Sequence, residues 1–294
     1  MPPAWLSGSM VALVTPFRGD RLDEDALSAL IERQIAGRTR ALIMAGTTGE
    51  AAALTEDEHI HVIRRAIEIA AGRIAVVGGV GANVTRDAVA LAKDCAEIGA
   101  DGVMATTGYY NKPNRAGLIA HYKALAEATS LPMILYNVPG RTAVDMREDL
   151  IAELVRLPHV AALKDASGDL ARMARHRLSG SGETVFLSGE DITAVGFNAM
   201  GGRGCISVTA NVAPALCAEM QEACLAGDYA AALKLQDRLV PLHDAMFSDA
   251  SPAPAKYALA KLGLIAEELR LPLMPASEKA RALVDAALSD LDLR

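Results

Sequence analysis

Aromatic residues make up only 4% of this 294-residue chain, and there is a single tryptophan. Positive charge is also short: 29 Lys and Arg stand against 36 Asp and Glu, a formal net charge of −7. Such a balance offers nothing to a phosphate backbone, so a nucleic-acid partner is excluded. The four cysteines, Cys95, Cys205, Cys217 and Cys224, form no CxxC and sit in apolar surroundings. They read as reduced core residues of a cytoplasmic protein, neither disulfides nor metal ligands. No long apolar run is present. The longest charge-free stretch, Gly204–Ala218, is interrupted by Asn211 and Pro214 and is too short for a membrane span. The opening Met1-Pro2-Pro3-Ala4-Trp5-Leu6 has neither a basic segment nor a long apolar one, so no signal peptide is expected. Familiar cofactor signatures are missing too. Gly79-Val80-Gly81 has no third glycine, and there is no GxxxxGK[ST] and no HExxH. His59 and His61 lie in a helical stretch where i and i+2 point different ways, so no metal is expected there.

What the chain does have is apolar mass, 51% of residues, with 22% charged, which is enough for a large core. Short apolar runs alternate with helical spacing along the first three-quarters. The runs are Ser9–Thr15, Ala41–Ala45, Ile74–Gly79, Gly102–Ala105, Met133–Tyr136, Val160–Leu163, Val185–Leu187 and Cys205–Val208. Between them lie helical patterns such as Asp25–Ala36, Glu56–Ala70, Arg86–Ile98 and Gly117–Ala128. Two helix starts are marked, by Thr55 with Glu58 and by Thr85 with Asp87. Eight βα units without a long linker predict an α/β fold, a (β/α)8 TIM barrel over residues 1–226. Strand signals stop after Asn211, and helical patterns from about Asp228 predict a C-terminal helical extension, residues 227–294.

In such a barrel the chemistry gathers at the C-terminal ends of the strands. The sequence is organised there around Lys164, which follows the buried run Val160-Ala161-Ala162-Leu163. Loss of hydration at such a strand end favours the neutral, nucleophilic amine, which is how a Schiff-base lysine arises. The alternative is a side chain that snorkels to solvent. Tyr136 ends the preceding strand, so its phenol is expected beside the amine as a proton carrier; a core tyrosine is the other reading. Gly46-Thr47-Thr48-Gly49 offers N–H groups and hydroxyls suited to a small carboxylate, or is an ordinary βα turn. Arg141 can fork a carboxylate or make a surface ion pair. Tyr109-Tyr110 is an aromatic pair of the kind found at interfaces. Polar residues Ser188-Gly189-Glu190-Asp191, Ser207 and Thr209 mark the ends of the last two strands.

Taken together, these residues resemble the dihydrodipicolinate synthase and N-acetylneuraminate lyase superfamily of class I, Schiff-base aldolases. The resemblance runs from Gly8-Ser9-Met10-Val11-Ala12-Leu13-Val14-Thr15-Pro16 to Leu271-Pro272-Leu273-Met274-Pro275. Gly46–Glu50, Tyr109–Pro113, Tyr136–Thr142 and Gly204–Asn211 appear in order and at family spacing. It implies a lyase in which Lys164 forms the imine and Tyr136, Thr47 and Tyr110 relay protons. Thr48 and Ile206 would hold the pyruvate carboxylate, and Arg141 would hold L-aspartate-4-semialdehyde, the synthase substrate of diaminopimelate and lysine biosynthesis. No cofactor is implied, since the protonated imine is the electron sink. A homotetramer, a dimer of tight dimers, is implied as well. So is a lysine effector site at Ala51, Ala52, Glu56, His59, Asn83, Asp87 and Tyr109. Departures from the family pattern are Gly108, where proline is common, and Asp165, where glutamate is frequent. Competing readings are a pyruvate-dependent aldolase or dehydratase of sugar acids, and a silent keto-acid-binding barrel.

Overall fold

The computed structural model describes residues 2–178 and 183–293. Among them, eight parallel strands close into a barrel: β1 (Gly8–Ala12), β2 (Ala41–Met44), β3 (Ala75–Gly79), β4 (Gly102–Thr106), β5 (Met133–Asn137), β6 (Val160–Asp165), β7 (Val185–Ser188) and β8 (Gly204–Ser207). Each strand pairs with its sequence neighbours, and β1 closes the ring between β2 and β8, with Met10 opposite Ile206. The apolar runs have the composition they do because both faces are covered. Met10, Ile43, Val77, Met104, Ile134, Ala162, Leu187 and Ile206 fill the barrel, while their alternates pack outward against the helices. Fully burying one such larger side chain stabilises the fold by roughly 1.5–3 kcal/mol.

Helices α1 (Glu24–Ala36), α2 (Glu56–Ala70), α3 (Thr85–Glu97) and α4 (Arg115–Ala128) fill the crossovers. They begin where side chains satisfy the free N–H groups. Asp23 accepts from Ala26, Asn114 accepts from Gly117, and Thr55 with Glu58 forms a reciprocal capping box. Thr85 is the exception to expectation. It is the first residue of α3 rather than its cap, and its hydroxyl lies 3.0 Å from His121 Nδ1 on α4. The first strand is also shorter than predicted. Val14 N–H turns to the Asn211 side chain and the Thr15 hydroxyl to Gly49 O, so both leave the ladder. β6 runs on to Asp165 instead of stopping before Lys164, because Ala166 and Gly189 N–H groups extend the ladder to Asn137 O and Asp165 O.

The remaining helices of the barrel half are α5 (Pro139–Thr142), α6 (Glu148–Leu154), α7 (Ala171–Leu178), α8 (Ala194–Ala199) and α9 (Pro214–Leu225). Past them come α10 (Tyr229–Met246), α11 (Ala253–Lys261) and α12 (Glu278–Asp290). α10 packs on α9, and the segment after α11 reaches back over the barrel mouth to the loop after β2, where Arg270 N–H donates to Glu50. No described helix is long and apolar enough to cross a membrane.

Candidate active site

β5 and β6 are adjacent, and their register sets Tyr136 opposite Lys164. The Lys164 side chain is folded back over its neighbour, with Nζ 4.1 Å from the Tyr136 ring centroid. Lys164 is 5% exposed, and among the described residues no carboxylate pairs with its ammonium. Space for it is kept by Gly189 at the end of β7, where a Cβ would lie 2.9 Å from Lys164 Cε. The following residue, Glu190, is half-buried. Burial pushes its carboxyl above the usual range, Asp191 adds to this, and the Lys164 charge opposes it. Sequence reasoning marked Ser188–Asp191 as a polar strand end but gave neither Gly189 nor Glu190 a role; the glycine directly before a polar pair was the signal.

Behind the lysine, Asp165 is buried on the outer side of the barrel. Burial alone would raise its carboxyl, but contacts from His176, Ser167 and Arg172 hold it below the ordinary range. Arg172 Nε is 3.2 Å from Asp165, and Arg172 Nη1 is 2.8 Å from both Asp145 oxygens. The Asn137 amide donates to Asp145 as well, at 3.0 Å. This cluster fastens β6 to Asp145, in the loop that follows α5.

A cavity of about 600 Å³ opens over the strand ends. Tyr136, Thr47 and Arg141 line it together, as do Ala51, Ala52, Glu56, His59, Asp87 and Tyr109. Arg141 stands on the short α5, exposed, and among the described residues no carboxylate pairs with it. Thr48 is buried and Thr47 exposed in the turn after β2, which Glu50 N–H closes onto Thr47 O at 3.1 Å. Ile206 sits within the barrel in the same apolar cluster as Tyr136. His59 Nε2 donates to Gly79 O at 2.7 Å, and burial lowers the pKa of its imidazole, which that bond opposes. Asp87 pairs with Arg86 at 2.9 Å, and Asn83 Oδ1 is buried with no hydrogen-bond partner among the described residues.

Tyr110 is not brought to the lysine within one chain. It is 91% exposed and held at φ 69°, and Lys112 two residues on is also left-handed, at φ 45°. A non-glycine residue there costs about 1–2 kcal/mol, and such strain gathers at functional segments. Among the described residues no hydrogen bond joins Thr47, Tyr136 and Tyr110. The site therefore holds a buried amine, a phenol on the neighbouring strand, a threonine turn and an exposed guanidinium, the two cations without a paired acid among the described residues. That set fits imine chemistry on a keto acid with a second anionic substrate.

Comparison with known proteins bears on this site. Residues 5–291 match the model of the dihydrodipicolinate synthetase family. A 4-hydroxy-tetrahydrodipicolinate synthase of Phenylobacterium zucineum is 52% identical over 286 residues, 97% of each chain. Among solved structures, the chloride-inhibited dihydrodipicolinate synthase of Acinetobacter baumannii, complexed with pyruvate, superposes with a TM-score of 0.96 at 41% identity. It covers 98% of this chain and 100% of its own. The Cyanidioschyzon merolae enzyme with lysine bound matches with a TM-score of 0.95 at 34% identity, over 99% and 100%.

Proposed function

The chain belongs to the dihydrodipicolinate synthetase family and has the lyase activity of a 4-hydroxy-tetrahydrodipicolinate synthase, and from this premise we propose how its residues divide the work. Lys164 Nζ attacks the C2 ketone of pyruvate; the carbinolamine loses water to an imine, and loss of a C3 proton gives the enamine. The enamine carbon attacks the aldehyde of L-aspartate-4-semialdehyde. The amine of that substrate then adds to the imine carbon, closing the ring and expelling Lys164. Tyr136 moves protons to and from the carbinolamine oxygen, with Thr47 and Tyr110 completing the relay. Thr48 and the Ile206 backbone hold the pyruvate carboxylate, and Arg141 holds that of the semialdehyde. The protonated imine supplies the electron sink, so the sequence of steps asks for no cofactor.

The observation that carries this reading is Lys164 Nζ poised 4.1 Å from the Tyr136 ring, with no salt-bridged acid among the described residues. Incubation with pyruvate and borohydride tests it, since reduction fixes a pyruvate-derived mass on the Lys164 peptide. A sugar-acid aldolase would trap pyruvate as well but would turn over no aspartate semialdehyde. The exposure and strain of Tyr110 favour its delivery to a second copy, within a homotetramer built as a dimer of tight dimers. Sedimentation of a fully active monomer would end that part. Ala51, Ala52, Glu56, His59, Asp87 and Tyr109 of the cavity lining, with Asn83 beside them in the chain's β3–α3 loop, form the proposed lysine effector site. A flat initial-rate titration up to millimolar L-lysine would remove it. The reduced, buried cysteines accord with a cytoplasmic location.

A further inference from the structure

The turn that would take the pyruvate carboxylate is held from behind by residues over 200 positions away. Glu50 directly follows that turn, is buried, and stands in the left-handed region at φ 56°. Its carboxylate is committed on both oxygens: Oε1 pairs with Lys256 Nζ, and Oε2 accepts the Arg270 N–H at 3.1 Å. Lys256, on α11, is 0% exposed; it also donates to Glu268 O at 2.8 Å and lies 4.3 Å over the Phe17 ring. On the opposite side the Thr15 hydroxyl holds Gly49 O at 2.7 Å. A buried ion pair of this kind gains little stability over a well-packed apolar pair of equal volume. Glu50 follows Thr47 and Thr48 in the chain and its N–H closes their turn onto Thr47 O, so a carboxylate fixed at both oxygens gives the pair a geometric task instead. We propose that Lys256 is a positioning residue which, through Glu50, sets the Thr47-Thr48 turn for pyruvate capture. This rests on the role given to that turn above. It makes the helices past residue 226 part of the catalytic apparatus, although residues 227–294 read from sequence as an extension.

The test is borohydride trapping as a function of pyruvate concentration, beside steady-state kinetics with aspartate semialdehyde. Two proteins are compared with the wild type. One carries Lys256→Met together with Glu50→Gln, which removes both charges and leaves neither partner stranded. The other carries Glu50→Asp, which keeps both charges and withdraws the carboxylate by one methylene. Misplacing a binding turn by a fraction of an ångström should raise half-saturating pyruvate about tenfold in the double variant and several-fold in Glu50→Asp. The KM for aspartate semialdehyde should stay within about twofold, because α5, which carries Arg141, is flanked by Asn137 and Asp145 of a separate cluster. Unchanged pyruvate half-saturation in Glu50→Asp overturns the inference, whether or not the double variant folds by near-ultraviolet circular dichroism. An equal rise for both substrates overturns it too, since a merely structural pair would loosen the whole cavity. If the wild type itself traps no pyruvate at Lys164, the imine reading fails, which is a different result.

Discussion

Lys164 and Lys256 are both buried, and they are held in opposite ways. Lys256 has a carboxylate, a carbonyl oxygen and an aromatic face around its ammonium. Lys164 has an aromatic face at 4.1 Å and, among the described residues, no paired acid. The first arrangement consumes every valence of the ammonium and fixes a shape. The second leaves the nitrogen without a fixed ionic partner among the described residues, open to the ketone it is proposed to meet. Burial alone therefore says little about a lysine; what surrounds the nitrogen decides whether it is a nucleophile or a strut.

Exchanging the two lysines for neutral residues should break the symmetry most visibly. Lys164→Ala should lose the trapped adduct and at least roughly a thousand-fold in turnover, read by intact mass and by coupled assay. An adduct persisting on another lysine would reverse the assignment. In stability the order inverts. Lys256→Met strands the Glu50 carboxylate and should cost about 3–5 kcal/mol in urea unfolding, whereas Lys164→Met should unfold at the same urea concentration or higher. Arg141→Ala sharpens the contrast from the substrate side. It should cost about 2–4 kcal/mol in kcat/KM, some tens to several hundred-fold, and leave pyruvate trapping intact.

The smallest effect concerns Glu58, which joins the Lys256 cluster through Arg270. The Arg270 guanidinium, 2.7 and 2.6 Å from its oxygens, holds the Glu58 carboxyl down at about 2. An unfolded glutamate titrates near about 4.3, so between these values the unfolded chain binds more protons. The stabilisation from Glu58 is thus complete above about pH 5 and is lost as pH falls toward 2. Melting temperatures of Glu58→Gln should decline less steeply than wild type between pH 5 and 3. Parallel curves would mean that solvent already screens this half-exposed pair.

The two lysines also differ in how far the sequence reveals them. Lys164 follows four apolar residues, and parallel pairing puts strand ends side by side, so both the amine and its Tyr136 neighbour could be read from residue order. The eight-strand alternation was legible for the same reason: a strand covered on both faces cannot carry polar residues until its end. Lys256 lies in Ala253–Lys261, among alanines, where nothing local separates a buried lysine from a solvated one. Its burial comes from Phe17 and Glu50, residues far away in the chain. Gly189 and Glu190 were marked only as part of a polar strand end, since the role of one depends on the lysine packed against it and that of the other on its burial. The strand expected to stop before Lys164 ran on because backbone partners on β5 and β7 extended the ladder, and partners of that kind leave no mark in the segment itself.

The bond from Arg270 N–H to Glu50 spans 220 residues, which gives it a meaning during synthesis. At roughly 5–20 residues per second, the ribosome delivers Arg270 about ten to forty seconds after the turn at Thr47 has emerged. Tyr136 and Lys164 are made about midway through that interval, while the Thr47-Thr48 turn, proposed above to receive pyruvate, still lacks its bonds to Lys256 and Arg270. A nascent chain thus carries its nucleophile well before it can hold a keto acid in front of it.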